Sequence, residues 1–263
     1  MKTPIRNPLF KTKANSVLEN IIPRGTVVES FGFYSGDVEF HLSNRGRFVS
    51  AYTEKDIVYD VWSTLLTDTT SVAEISSRIL PLRDEKEFPV LQEQWSKFKN
   101  PDVRAALFYF LNNCSDSGYI SKGVMDTTNY NPVSLSRLKK FTKPEHFHLS
   151  KTDDTIEQIK NSDADILFLQ FPKYLKSFLD EGINRGIEEE NINIENLSTI
   201  VKDKKYVLLT EPTKFLFDMF DCNFTFIDQY GRQTKNLSDA KEIILHNVWQ
   251  TNIGNFAFYS WTN

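Results

Sequence analysis

The stretch VVESFGFYSGDVEFHL, residues 27–42, opens on two β-branched residues and reaches an acid at Glu29 and an aromatic at Phe31. It then runs through a glycine-containing loop, 32–36, and resumes with helical spacing over 37–42. Together with Thr26 the β-branched run predicts a strand, and glycines in the loop permit a sharp exit from it. Upstream, Val17, Ile21 and Ile22 recur at helical spacing within 14–22, and Pro23-Arg24-Gly25 breaks that helix. Downstream, 47–52 predicts a second strand and 54–66 a further helix. Strand, turn, helix, strand, helix is the opening of a doubly wound α/β sheet.

The same pattern resumes at ADILFLQ, residues 164–170, an unbroken apolar run suited to a strand covered on both faces. Helices are expected over 174–187 and 193–201, with the acidic 188–190 in solvent between them. A strand follows at 205–209 and a short helix at 214–220. The stretches 223–227 and 241–246 alternate in polarity and predict an antiparallel closing pair across the polar turn 228–238. Between the halves, Asn100-Pro101-Asp102 supplies an N-cap, a first-turn proline and an early acid. The following AALFYFLNN is apolar nearly all round and predicts a buried helix. The segment 115–131 reads as polar and irregular, and Asn131-Pro132 starts a short basic helix. The tail, 248–263, carries Trp249, Phe256, Phe258, Tyr259 and Trp261, enough aromatic surface to pack on the domain or on a partner.

Composition narrows the class. The chain has 263 residues, 40% hydrophobic and 25% charged, which is ordinary for a globular protein. No apolar run approaches the roughly 18 residues of a membrane span, and the basic start MKTPIRNPLFKTK is followed by no apolar segment of a secretory signal. Cys114 and Cys222 stand far apart without a histidine beside either. That spacing excludes a zinc-finger type metal site and predicts two buried thiols in a cytoplasmic or other reducing compartment. A net charge of −4 and a pI near 5.7 weigh against tight duplex binding, for which a basic stripe is usual. Ten glycines are few for a protein with a glycine-rich cofactor loop.

From about Pro8 to Asn247 the order of these pieces resembles the Dam-type adenine-N6 DNA methyltransferases. Four places carry the likeness. In residues 27–42, Glu29 and Phe31 match the acid and phenylalanine after the family's first strand, and Gly36 matches the last glycine of its turn, with Tyr34 in place of the first. In RFVSAYTEKDIVYDVW, 47–62, Tyr52 occupies the place of the acid that bonds the ribose hydroxyls; Glu54, two residues later, replaces that acid if the loop bends back and otherwise begins an exposed helix face, which is the reading preferred. In NPDVRAALFYFLNNCSDSGYI, 100–120, Leu111-Asn112 and Gly118-Tyr119 fit the helix supporting the DNA-reading insertion. In ADILFLQFPKYL, 164–175, Gln170, Phe171, Pro172 and Lys173 stand where the family has Asp-Pro-Pro-Tyr.

The resemblance implies a Rossmann-like S-adenosylmethionine methyltransferase sheet with a helical, loop-rich insertion. Residues 1–66 and 151–247 form its two halves, 67–150 the counterpart of the DNA target-recognition region, and 248–263 an added tail. It implies a cofactor site at Glu29, Phe31, Gly36 and Tyr52, and a catalytic position at Gln170, Phe171, Pro172 and Lys173. It places Arg137, Lys139 and Lys140, with Lys143, Tyr130 and Phe141 nearby, where DNA phosphates are met. The chemistry at the catalytic position is altered. A carboxylate stabilises the positive charge developing on the flipped adenine's amino nitrogen; the Gln170 amide accepts a bond but brings no charge, and Lys173 cannot stack on the base. The expectation is therefore a degenerate relative that binds or assembles without transferring methyl groups. The alternative is an active S-adenosylmethionine-dependent enzyme with divergent motifs. An unrelated α/β enzyme has only His146 and His148, read as solvated in a polar loop, as acid-base candidates. Partners follow from the same reading: DNA through the basic helix, or a protein or second copy through the tail; no metal and no membrane.

Overall fold

The computed structural model describes residues 3–7, 14–79, 86–121, 123–170, 194–212 and 216–248. Helices α1 (Asn15–Ile21), α2 (Asp37–Asn44) and α3 (Asp56–Thr67) alternate with strands β1 (Val27–Phe31) and β2 (Phe48–Thr53). Then come α4 (Thr69–Ile79), α5 (Glu87–Gln94), α6 (Pro101–Cys114), α7 (Pro132–Lys139), β3 (Phe147–Lys151), α8 (Thr155–Asn161) and β4 (Ile166–Gln170). The chain continues with α9 (Ile194–Val201), β5 (Tyr206–Thr210), α10 (Leu216–Met219), β6 (Asn223–Asp228), β7 (Gln233–Thr234) and β8 (Ala240–His246). The strands form one sheet in the order β3-β2-β1-β4-β5-β8-β6-β7. The first five are parallel, and β8 runs antiparallel between β5 and β6. This is the expected mixed α/β, Rossmann-like sheet.

Strand periodicity sorts the core into two layers. Val28, Val49, Ala51, Ile166, Phe168, Val207 and Leu209 face one layer with α1, α2, α3 and α6. Phe31, Leu167, Leu169, Tyr206 and Leu208 face the other, against Ile159 of α8 and Leu197 and Val201 of α9. β4 and β5 are buried at every position, as continuous apolar runs require. In α6 the side chain of Asn100 accepts the N–H groups of Asp102 and Val103 at 2.8 and 3.2 Å, and every residue from Ala105 to Cys114 is buried. Asn131 caps α7 through a reciprocal pair with Ser134. Helix α1 ends on a buried cation: Arg47, 2% exposed, donates to the carbonyls of Ile22, Arg45 and Glu19, groups that a helix end otherwise leaves unpaired.

Three expectations are corrected. Residues 147–151 form the edge strand β3, so His148 projects from a strand and is exposed, while the carbonyl of His146 accepts the N–H of Val49 at 2.8 Å. The polar loop reading failed because an edge strand with one solvated face buries only Phe147 and Leu149, too few apolar residues to show a period. Helix α8 was not foreseen either. Cys222 is half-buried, unlike the buried Cys114: it precedes β6, a strand whose residues are mostly half-buried. The expected helix over 174–187, the acidic 188–190, and the aromatic residues of the tail from Trp249 onward lie outside the described residues, as do Phe171, Pro172 and Lys173.

Candidate functional site

The strand order reverses between β1 and β4, and in such sheets the crevice at the carboxyl ends of the two flanking strands is where ligands bind. Three features meet there: the loop after β1, the end of β2, and Gln170 at the end of β4. Each is committed to the protein itself.

The loop contains two glycines at positive φ. Gly32, at φ +80°, sits so close to β4 that a Cβ there would lie 2.0 Å from the Gln170 carbonyl oxygen. Gly36, at φ +72°, begins α2, and a Cβ there would lie 2.3 Å from the Phe40 ring. Both glycines thus admit neighbouring protein atoms. The aromatic residues between them point into the core. Phe33 packs edge-on against Trp62, with centroids 5.6 Å apart, and lies 5.7 Å from Phe147. Tyr34 is buried against Phe108, and its carbonyl accepts the indole N–H of Trp62 at 2.5 Å. The N-terminal residues fasten this turn from outside: Thr3 Oγ1 donates to the Ser35 carbonyl at 2.6 Å, and Asn7 Nδ2 to Ser35 Oγ at 3.1 Å. Asn112 holds the same segment through a two-way amide pair with the Arg6 backbone, at 2.7 and 3.0 Å, and donates to the Gly118 carbonyl at 2.8 Å. The Leu-Asn and Gly-Tyr positions are thereby given a structural role.

At the end of β2, Tyr52 lies opposite Phe31 in register and stacks on it, with centroids 5.2 Å and planes 12° apart. Its hydroxyl donates to Glu29 Oε1 at 3.2 Å. Burial raises the Tyr52 hydroxyl's pKa above the usual phenol value, and the Glu29 charge adds to that. Glu54 neither reaches this point nor begins an exposed face: its carboxylate accepts the backbone N–H of Thr155, at 2.6 Å, in the first turn of α8.

Gln170, 6% exposed, faces the other layer. Its Nε2 donates to Glu39 Oε1 at 2.5 Å, and Ser30 Oγ donates to the same oxygen at 2.8 Å. Burial pushes the Glu39 carboxyl up to about 7 against the downward pull of its own backbone N–H, Ser30 and Gln170. The structure therefore divides the anticipated site residues. Glu29, Phe31 and Tyr52 meet on one face of the sheet, whereas Gly36 and Gln170 belong to the α2 side of the fold. Arg137, Lys139 and Lys140 are exposed on α7, and none forms an ion pair among the described residues. Sequence reasoning missed Ser30 and Glu39. Their only signal was an acid inside the apolar-rich helix Asp37-Val38-Glu39-Phe40, which reads equally well as a carboxylate favoured by a helix N-terminus.

S-adenosylmethionine needs a glycine turn open to its methionine part and an acceptor pair for its ribose hydroxyls. The described residues do not fit it. The turn is filled by Phe40 and closed by residues 3–7, the ribose position is a tyrosine spent on Glu29, and the Gln170 amide points inward.

No protein-family model matches the chain, and no curated protein does. Solved structures resemble it over most of its length. One is the precorrin-8W decarboxylase of Methanobacterium thermoautotrophicum, with 11% identity over 94% of this chain and 95% of that one, at a TM-score of 0.41. Another is a TehB-like SAM-dependent methyltransferase of Corynebacterium glutamicum, with 8% identity, 90% and 88% coverage and a TM-score of 0.39. A third is a predicted O-methyltransferase of Agrobacterium tumefaciens, with 9% identity, 95% and 92% coverage and a TM-score of 0.37. At such identities and TM-scores these three assign neither substrate nor reaction to this chain.

Proposed function

We propose that this chain is a degenerate relative of the Dam-type adenine-N6 DNA methyltransferases. It keeps the sheet as the scaffold of a binding or assembly protein and has lost the methyl-transfer centre. The observation that carries this reading is the hydrogen bond from Gln170 Nε2 to the buried Glu39. The side chain standing where the family's catalytic acid belongs is anchored through its amide nitrogen to an internal carboxyl, and it brings no negative charge to an adenine amino group. Anchoring the nitrogen also fixes the direction in which the amide oxygen points.

Helix α7 supports a role in binding. Arg137, Lys139 and Lys140 are exposed, the helix contains no acid, and Lys143 follows in the next turn of chain. A row of cations meets a phosphate backbone without reading sequence. The tail supplies the aromatic anchors for a protein partner or a second copy, a proposal that rests on sequence alone.

One experiment tests both parts. The chain is incubated with a fluorescent unmethylated duplex and methyl-labelled S-adenosylmethionine at several salt concentrations. The expected result is weak, salt-sensitive retention of the duplex with no label transferred. Neutralising Arg137, Lys139 and Lys140 together lowers the salt slope by about 3, roughly 0.9 for each phosphate contact. Label transfer that disappears in Gln170→Ala contradicts the loss of the centre, and a slope unchanged in the triple variant removes α7 from the interface.

A further inference from the structure

Ser30, Glu39 and Gln170 form a closed polar cluster where the two halves of the sheet part. The three residues are 0%, 1% and 6% exposed, and they belong to β1, α2 and β4. Both donors converge on one Glu39 oxygen, at 2.8 Å from Ser30 and 2.5 Å from Gln170, which the two lone pairs of a neutral carboxyl's carbonyl oxygen accommodate. On this face the neighbours of Ser30 in register are Ala51 of β2 and Phe168 of β4, both apolar and fully buried. The contact of Gly32 with the Gln170 carbonyl brings the exit of β1 against the same strand end.

Among the described residues no charged group compensates Glu39. Glu29 of β1 lies on the opposite face of the sheet. On α2 itself, Asp37 accepts from Ser35 Oγ at 2.9 Å, and His41 pairs with Glu19 of α1 at 3.0 Å. Arg45, just past α2, also lies against Glu19, and Arg47 is bonded to the end of α1. An anion at this position has two neutral donors and its own helix turn to solvate it, and a carboxylate so buried is driven either to hold its proton or to reach water.

We propose that this cluster is a proton-controlled latch: the protonated Glu39 carboxyl holds the end of β4 to α2 and β1, and release of its proton to solvent accompanies opening. The latch is independent of whether the sheet binds S-adenosylmethionine. It makes the crevice end of β4 a segment that opens by itself, ahead of the rest of the sheet.

The test is amide hydrogen exchange across pH, corrected for the intrinsic base-catalysed rate. The probes are Leu169 and Gln170 of β4, with Leu208 of β5 and Leu245 of β8 as references. A carboxyl of ordinary pKa 4.5 when open and about 7 when closed makes the opening constant of β4 rise by up to about tenfold per pH unit between those values and level off above. In Glu39→Gln, which keeps an acceptor oxygen for both donors, the rise is absent. Should that variant fail to fold, the carbon shift of the wild-type Glu39 carboxyl titrates near pH 7 if the latch exists. A midpoint below pH 5, or a wild-type exchange profile parallel to that of Glu39→Gln, overturns the proposal. So does a single opening free energy shared by the β4 and reference amides at every pH, which reduces the cluster to a contributor to global stability.

Discussion

Gly32→Ala is expected to destabilise the fold by about 3–4 kcal/mol. Two costs add. A side chain at φ +80° carries about 1–2 kcal/mol of left-handed strain. A Cβ 2.0 Å from the Gln170 carbonyl oxygen meets backbone, which cannot rotate away, and yields only if β1 and β4 separate. Forcing atoms into such a contact costs about 1–3 kcal/mol. For a chain of this size the sum lowers the melting midpoint by about 10 °C. Gly25→Ala is the internal control: its φ is +77° and nothing lies within 4 Å of its Cβ position, so only the strain remains. Denaturant unfolding of the two variants side by side isolates the contact with β4. Equal losses at the two positions contradict the close packing of the turn on that strand.

Glu39→Gln is expected to be more stable than the wild type by about 3 kcal/mol at pH 8 and equal to it near pH 4. The folded pKa of Glu39 is raised from 4.5 to about 7, so its contribution is fully present below about pH 4.5. It is lost as pH rises through the folded value and is constant above. A difference of that size corresponds to about 3 kcal/mol, a large share of the 5–15 kcal/mol by which domains are usually stable. Chemical unfolding at pH 4, 6 and 8 measures it. A variant less stable than the wild type at pH 8 means that Glu39 is ionised in the fold and held by its donors.

These effects also mark how far the sequence was readable. β1, β2, β4 and β5 were legible because β-branched or apolar runs of strand length ended at glycine, proline or charge, and α6 because Asn100 and Pro101 signal a helix start. β3 was illegible because it is an edge, with His148 in solvent and only two core residues. The position of Gln170 at a strand end could be read, and its likeness to a catalytic position with it. The direction of its side chain could not, because that direction depends on Glu39, 131 residues earlier, and nothing local encodes the pairing. The glycines misled in a similar way. A glycine at a strand-to-helix turn signals close approach in general, and only the fold shows that Gln170 and Phe40 are what approach. Glu54 was placed in solvent because its partner, the Thr155 amide, belongs to a helix the sequence did not announce.

On the proposed reading, the Phe40-filled glycine turn, the Tyr52–Glu29 pair and the anchored Gln170 leave this chain without affinity for the methyl donor. Titrating S-adenosylmethionine into the purified chain to millimolar concentration, while following both heat and melting midpoint, tests it most directly. A micromolar site would add about 4 kcal/mol at a thousandfold excess of ligand, a shift of many degrees. The expected result is no heat of binding and an unchanged midpoint; saturable heat with a rising midpoint would show that the cofactor site survives.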